Sequence, residues 1–490
     1  MELNGVKECV LPSTTDVLIV GAGPTGLVLA IDLARRGVPA LLVEKADRLF
    51  PGSRGKGVQP RTLEVFDDLG LIDAVQRAGR DYPRMLSWEG PDGTERGAEW
   101  DMIERSEPTE GEPYANALLI GQSRLQEVLH AHLRALGGDV VFGCEVTGLV
   151  QDAEGVTASF ADGPTVRARH VVAADGGRSG IRRALGIAME GEAVDPKPML
   201  VADLLLTPDA IVDDRNWHVW RGGSGGGAVL CPLPGEAGLF QLIIQFDDEN
   251  AVPDTGEEGV VAHLTSLTPI TARQVTKVVW ASDFRPRAAL ATRYRDGRVL
   301  LAGDAAHIHS PAGGQGLNTG VQDAYNLGWK LERVLRHGAP AALLDTYEQE
   351  RLPVAAAVLG LSTRLHRHAL LTRNSQRGGE TRQLTLGYRG GPLATGRAGA
   401  LEAGDRAPDG PLPRGRIFDL LRGPHFTLLA VDTPAPALAS PQVHVHELGA
   451  YEAYGRGLFL VRPDGYLGWA GEDATGLHDY LASLGIPQLP

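Results

Sequence analysis

At 490 residues the chain is longer than one ordinary domain, and its 43% hydrophobic content can supply several packed cores. A net charge of −14 at pH 7 argues against a nucleic-acid or anionic-membrane partner. Gly 63 and Pro 32 together stay below the roughly 25–30% that marks low-complexity chains. Three widely separated cysteines, Cys9, Cys144 and Cys231, offer no C-x-x-C and no metal-ligand spacing. They read as buried structural thiols in a reducing, cytoplasmic setting. The polar start, with Glu2, Lys7 and Glu8, predicts no signal peptide.

Residues 1–14 read as a loose leader. Val17 to Val20 is an apolar run, as expected of a strand buried on both faces of a parallel sheet. Gly21-Ala-Gly23-Pro-Thr25-Gly26 follows and fits G-x-G-x-x-G. Its glycines allow a tight turn, a close backbone approach to a pyrophosphate and close helix–strand packing. A helix with Leu27, Leu29, Ala30, Leu33 and Ala34 on its apolar positions runs to Gly37, a left-handed cap position. Its start presents free N–H groups and a positive dipole end to phosphates. A second strand, Ala40 to Val43, ends on Glu44, placed to accept hydrogen bonds from a ribose. Together these define a dinucleotide site. The run Val17 to Ala34 is apolar enough to suggest a membrane span, but Pro24, three glycines and Asp32 argue against one.

Ala46 to Gly57 is a turn-rich loop holding Arg54, which reads either as an oxygen clamp or as a solvated surface arginine. Thr62 to Ala78 reads as a helix that Gly70 can break, and residues 80–118 as acidic, turn-rich and poorly periodic. Gln122 to Leu136 is a helix. Short strands at 140–142, 146–150, 156–160 and 166–169 suggest a small inserted β-meander. A strand from His170 ends on Asp175-Gly176, and Ser179 caps a second helix.

Residues 190–290 change character. Strands at 199–206, 227–233, 239–246 and 277–280 predict a mostly antiparallel domain, rich in Trp217, Trp220, Phe240, Phe246, Trp280 and Phe284. Such a face suits a flat apolar ligand, although most such aromatics are core. The first pattern then returns. A strand reaches Gly303-Asp304, a glycine-rich loop runs from His309 through Pro311, Gly316, Leu317 and Asn318, and a helix runs from Gly320 to Arg336. That loop presents N–H groups to an electron-rich ligand edge. Asp304 reads as a polyol ligand or an N-cap, and His307 as a structural histidine. Helices continue from Ala341 to Leu371. Residues 374–415 look like a linker, and short strands and a last helix after Ile417 form a small α/β unit.

These motifs, in this order, resemble the FAD-dependent aromatic hydroxylases, the group A flavoprotein monooxygenases. Within that family the chain is similar to bacterial polyketide hydroxylases of the angucycline and anthracycline type and to rifampicin monooxygenases. The resemblance implies an α/β and α+β multidomain fold. A Rossmann-like FAD-binding domain occupies residues 1–188 and 291–373, an antiparallel-sheet substrate domain 189–290, a linker 374–416 and a thioredoxin-like C-terminal domain 417–490. That last unit holds no cysteine and so is not a dithiol redox module.

The resemblance also implies non-covalent FAD contacts at Gly21, Gly23, Thr25, Gly26, Glu44, Lys45, Arg54, Gln122, Val146, Asp175, Asp304, Pro311, Gly316, Leu317 and Asn318. NADPH is the implied transient co-substrate. Dioxygen would give a flavin C4a-hydroperoxide that hydroxylates a polycyclic phenol, with no side-chain nucleophile and no metal. Baeyer–Villiger insertion, antibiotic inactivation and an FAD-holding binding protein with little turnover are alternatives on the same scaffold. A homodimer is compatible with the resemblance, which assigns no catalytic residue.

Overall fold

Six β-strands form the spine of the cofactor domain in the order Arg295–Asp296, Val299–Leu301, Thr165–Ala173, Thr14–Val20, Ala40–Glu44 and Val140–Phe142. Four of the five interfaces run parallel and the one at the Arg295–Asp296 edge runs antiparallel, with Val17 opposite both His170 and Ala40. The computed structural model describes residues 11–161, 163–221, 226–311, 313–372, 376–438 and 440–486, with only the backbone described at 368–372. Val17, Leu18 and Ile19 are fully buried. This agrees with an apolar run covered by helices on both faces. The helix Pro24–Arg35 packs on the long helix Gly316–Arg336.

Gly70 does break the predicted helix, leaving Pro60–Asp68 and Ile72–Ala78 with Gly70 at φ 72°. The strand at 166–169 and the strand starting at His170 are one continuous strand, Thr165–Ala173, which both closes the antiparallel meander and enters the parallel sheet. The long helix begins at Gly316 rather than Gly320, so Gly316, Leu317 and Asn318 form its first turn. Residues 1–10 of the expected leader lie outside the described residues, and the first strand already starts at Thr14.

The second sheet has seven strands in the order Val275–Phe284, Met199–Leu206, Leu239–Gln245, Gly227–Pro232, Asn216–Trp220, Arg84–Glu89 and Glu95–Trp100. All neighbours are antiparallel except Asn216–Trp220 with Arg84–Glu89. Here the structure corrects the reading of residues 80–118. The hairpin 84–100 crosses into this sheet, so the sheet is not confined to 189–290. Its charged outer strand, Glu95–Trp100, is an exposed edge whose pattern hides a strand from a periodicity search. Strand Asn216–Trp220 and helix Glu257–Leu267 are further elements not expected from sequence.

The third sheet runs Leu401–Glu402, Thr395–Ala398, Leu467–Gly471, Gly457–Val461, Phe426–Val431 and Val443–Leu448. Residues 395–402 therefore belong to the C-terminal layer, not to a linker, and Leu384, Tyr388 and Leu393 before them are buried. The layer docks on the long helix. Trp329 packs edge-on against Phe426 at 5.7 Å, and its indole N–H donates to Asp464 (3.1 Å). Glu350 accepts from Lys330 (2.7 Å) and from Arg462 (2.6 and 3.0 Å), all fully enclosed. The cysteines divide. Cys231 is a buried free thiol, as expected, whereas Cys144 is in a disulfide bond, and the all-thiol reading is corrected there. Cys9 lies outside the described residues.

Candidate functional site

Two helix N-termini open onto one crevice. At the first, Gly21 adopts φ 104°, and a Cβ there would stand 2.4 Å from the Ala174 carbonyl oxygen. A Cβ on Gly23 would meet nothing within 4 Å, so backbone lies bare at this point. The helix has Gly23 at its N-cap and no side-chain cap, and its first internal bond runs from Leu27 N–H to Gly23 O (3.0 Å). Its earlier N–H groups face outward. Glu44, at the end of the next strand, accepts from Ala22 N–H (2.9 Å) and Ala46 N–H (3.0 Å). It thereby fixes the fingerprint loop against the second strand.

The second N-terminus is that of the 21-residue helix Gly316–Arg336, whose Gln315 N-cap also lacks a side-chain cap. Its first internal bond is Thr319 N–H to Gln315 O (2.9 Å), which leaves the N–H groups of Gly316, Leu317 and Asn318 outside the helical ladder. Thr25 joins the two ends. Its Oγ1 would lie 2.6 Å from a Cβ on Gly303 and 2.5 Å from one on Gly320. Gly303 itself needs its left-handed φ of 62°.

The loops between these ends are tied by Asn318. Its side chain accepts from Gln59 N–H (2.8 Å) and donates to Gly57 O (2.9 Å) and Gly314 O (2.8 Å). With the side chain so committed, only its backbone is free for a ligand. Gln122 Oε1 accepts from Gly55 N–H (3.3 Å), and Leu317 Cδ1 lies 3.3 Å from a Cβ on Gly55. Asp304 Oδ1 lies 3.9 Å from a Cβ on Gly316. Asp304 is exposed, yet desolvation by the surrounding protein pushes its pKa up against the pull of His307 and Arg54. Arg54 stacks over Phe50 (4.6 Å) and Trp280 (5.9 Å), and burial lowers its pKa. Arg54 is exposed, with its guanidinium lying over the Phe50 and Trp280 rings. Asp175 Oδ2 caps the helix Gly180–Ala184 through Gly180 N–H (2.8 Å), while Oδ1 is buried without a partner.

Gly313 and Gly314, at φ 92° and 63°, carry the turn after Pro311. Lys45 is exposed at the end of its strand. Val146 starts a strand just after a turn pinned to the same place by Cys144 N–H to Glu44 O (2.9 Å). Neither reaches the second N-terminus.

Sequence reading missed a chain of buried polar groups behind Asp304. Asp323 accepts from Gly303 N–H (3.0 Å), Arg351 Nε (2.8 Å) and His307 Nε2 (2.6 Å). His307 Nδ1 pairs with His309 Nε2 (3.0 Å), and His309 Nδ1 is buried and unpartnered. Burial and the neighbouring His307 hold His309 well below the usual imidazole range, so it is neutral. The H-x-H spacing was the available signal. The aromatic face is mostly core. Trp220 stacks on Trp88 at 5.8 Å, and Phe240 is 5% exposed. Trp217 and Trp280 are the two that meet the 50–57 loop.

Bare backbone at Gly23, free N–H groups at two helix ends, and a partnerless Asp175 oxygen fit a long, doubly anionic dinucleotide. The comparisons agree. The family model described as FAD binding domain matches residues 14–362, and the model described as aromatic-ring hydroxylase, C-terminal, matches 401–485. The chain belongs to the FAD-binding domain family, and it is an FAD-dependent monooxygenase of the aromatic-ring hydroxylase type. It is 42% identical to a flavin-dependent monooxygenase of Mycobacteroides abscessus, over 96% of this chain and 99% of that one. It is 33% identical to a rifampicin monooxygenase of Streptomyces venezuelae, over 94% and 97%. Among solved structures, aklavinone-11 hydroxylase in a complex with FAD and aklavinone superposes with a TM-score of 0.80 at 28% identity, covering 97% of this chain and 99% of that one. Among the described residues no helix is long and apolar enough to cross a membrane.

Proposed function

We propose that this chain hydroxylates a polycyclic aromatic substrate of the polyketide type, with NADPH as reductant and dioxygen as the oxygen source, by the C4a route. The observation that supports the reading most is the meeting of two uncapped helix N-termini beneath a sheet whose Trp217 and Trp280 face the same loop. The names of relatives that act on anhydrotetracycline and 6-methylpretetramide point the same way.

Bound FAD supplies the redox chemistry. The protein's part is to hold and polarise. The N–H groups of Gly23, Thr25 and Gly26 would take the phosphates, Glu44 and Lys45 would face the ribose side, with Val146 flanking, and Asp304 would take a polyol hydroxyl. Arg54, Gln122 and Asp175 border the middle of the crevice. The turn from Pro311 and the free N–H groups of Gly316, Leu317 and Asn318 would hold the ring's pyrimidine edge and stabilise negative charge developing there. The second sheet covers the opening and excludes water.

The test is anaerobic bleaching of the flavin band by NADPH, alone and with polycyclic phenols, followed by turnover under labelled dioxygen. Bleaching accelerated by one ligand class, with label from dioxygen in the product, is expected. Label arriving from water sinks the reading.

A further inference from the structure

The helix Asp345–Thr372 runs from the floor of the crevice to the joint between the cofactor domain and the second sheet. Near its start Arg351 donates to Asp323 (2.8 Å) and to Thr319 O (3.1 Å), inside the long helix. Further along, it meets the turn that precedes that helix. Leu365 Cδ1 lies 3.2 Å from a Cβ on Gly313, which is left-handed at φ 92°. His366 Nδ1 pairs with Ser310 Oγ (2.9 Å), and both residues are buried.

The other edge of the same imidazole faces the joint. The chain crosses from the strand Met189–Ala193 of a three-stranded sheet to Met199–Leu206 of the second sheet, and returns from Val275–Phe284 to Arg287–Ala291. Val194 N–H donates to Pro286 O (2.9 Å) and ties the two crossings together. Asp195 sits at this place, 3% exposed. Its Oδ1 accepts from Lys197 N–H (3.0 Å), and its Oδ2 accepts from the side-chain amide of Gln245 (2.7 Å), the last residue of the strand Leu239–Gln245. His366 Nε2 lies 3.6 Å from the same Oδ2. The line Gln245–Asp195–His366–Ser310 therefore leads from the second sheet to the residue before Pro311.

A carboxylate only accepts, so the ring nitrogen that faces Asp195 is the one that carries a proton. In the neutral ring Nδ1 is then bare and accepts the Ser310 O–H. At 3.6 Å the Nε2–H falls short of a hydrogen bond. Among the described residues it has no other partner. A buried donor left unmade is costly, so a small approach of the joint to the helix is favoured by the bond it completes. The turn itself is pliant, because Gly313 and Gly314 are both left-handed. Gln59 and Gln315 donate to Gly313 O (3.3 and 2.7 Å) from within the cofactor domain. Leu365 and His366 hold the turn from the side of the joint.

We propose that His366 is a positioning residue that carries the setting of the joint to the turn. Asp195 aims the imidazole, the imidazole holds Ser310, and Ser310 fixes where the Pro311 turn begins. The relay transmits position, with no covalent step. It rests on the reading, in the preceding subsection, that this turn and the N–H groups of Gly316, Leu317 and Asn318 face the ring's pyrimidine edge. It adds that the second sheet, through Gln245 and Asp195, sets how well those groups stabilise negative charge there.

The experiment uses the FAD-loaded full chain and two readouts. One is amide hydrogen exchange over residues 313–319; the other is the flavin midpoint potential, found by equilibration with a reference dye. His366→Ala and Asp195→Asn are each expected to speed exchange at 313–319 about tenfold, and the double variant to be no faster than His366→Ala. His366→Asn, which keeps an amide toward Ser310 but cannot reach Asp195, should match Asp195→Asn. In each variant, reduction should become about tenfold less favourable, or ~30 mV for a two-electron couple. A histidine that only packs the helix would leave Asp195→Asn without effect on the turn.

Exchange at 313–319 that Asp195→Asn leaves unchanged overturns the relay, and so do effects of Asp195→Asn and His366→Ala that add in full. FAD content reports folding, and His366→Asn replaces His366→Ala in the cycle if the latter does not fold. Coupled exchange with an unmoved potential overturns the placement of the ring's edge at this turn instead and leaves the relay standing.

Discussion

Gly26 lies so close to Gly21 that a Cβ on it would come within 2.0 Å of the Gly21 carbonyl oxygen. Gly23, two residues from Gly21, has open space on the same side. The fingerprint glycines therefore do different work, and two substitutions separate them. Gly26→Ala forces helix and strand apart and should destabilise the apoprotein by roughly 1–3 kcal/mol. Gly23→Ala, at φ −68°, should leave apoprotein stability within about 0.5 kcal/mol, yet weaken FAD retention. Denaturant unfolding of stripped protein and flavin titration check both. Equal loss of stability in the two variants would refute the division.

Asp323 anchors the floor of the crevice through Arg351, His307 and Gly303. Asp323→Asn leaves a buried guanidinium without its counter-charge and should destabilise the fold by about 3–5 kcal/mol. Those same partners hold the carboxyl down at about 2 against desolvation. With a folded pKa below the unfolded value of about 3.9, its contribution is complete above about pH 4 and is lost as pH falls toward about 2. Acid unfolding midpoints of wild type and variant measure this. A variant with the wild-type acid limb would show that Asp323 stays protonated.

His170 gives a second, higher window. It is 3% exposed with an unpartnered Nδ1, and burial together with Arg298, Arg295 and Arg169 lowers its pKa to about 4. The fold holds it neutral while the unfolded chain protonates near pH 6.5. Stability is therefore full above about 6.5 and falls toward pH 4 by at most about 1.4 kcal/mol per unit. His170→Gln should flatten the stability profile between those values. An unchanged slope there would assign it to other groups.

Glu350 joins Lys330 on the long helix to Arg462 on the C-terminal sheet. Arg462→Met should loosen the C-terminal layer, with a loss of about 3–5 kcal/mol from the orphaned Glu350 and Asp464. Glu350→Met combined with Arg462→Met should recover part of it, because removing both partners leaves less uncompensated charge. Thermal melting and limited proteolysis between residues 376 and 416 read the outcome. Full additivity of the two losses would deny the coupling.

Local spacing was enough for the strand–turn–helix at Val17 to Gly37, for the acid at Glu44 and for the strand–loop–helix around Gly303 to Arg336. In each the chemistry sits within about thirty consecutive residues, and glycine conformation and helix ends are set by neighbours in the chain. The same holds for the break at Gly70 and the Ser179 cap.

Only the tertiary structure decided what distant segments share. The polar hairpin 84–100 is a strand pair because a sheet edge from 216–220 receives it, and Thr395–Ala398 is a strand because Leu467–Gly471 lies beside it. Of the Asp323–His307–His309 chain only the H-x-H spacing is local; Asp323 and Arg351 carry no local signal, since a buried ionic group is stable only where partners far along the sequence satisfy it. The sequence determined the cofactor end of this protein, because backbone geometry is a short-range property. The substrate end was decided by folding, because desolvation and charge pairing depend on everything that closes around a side chain.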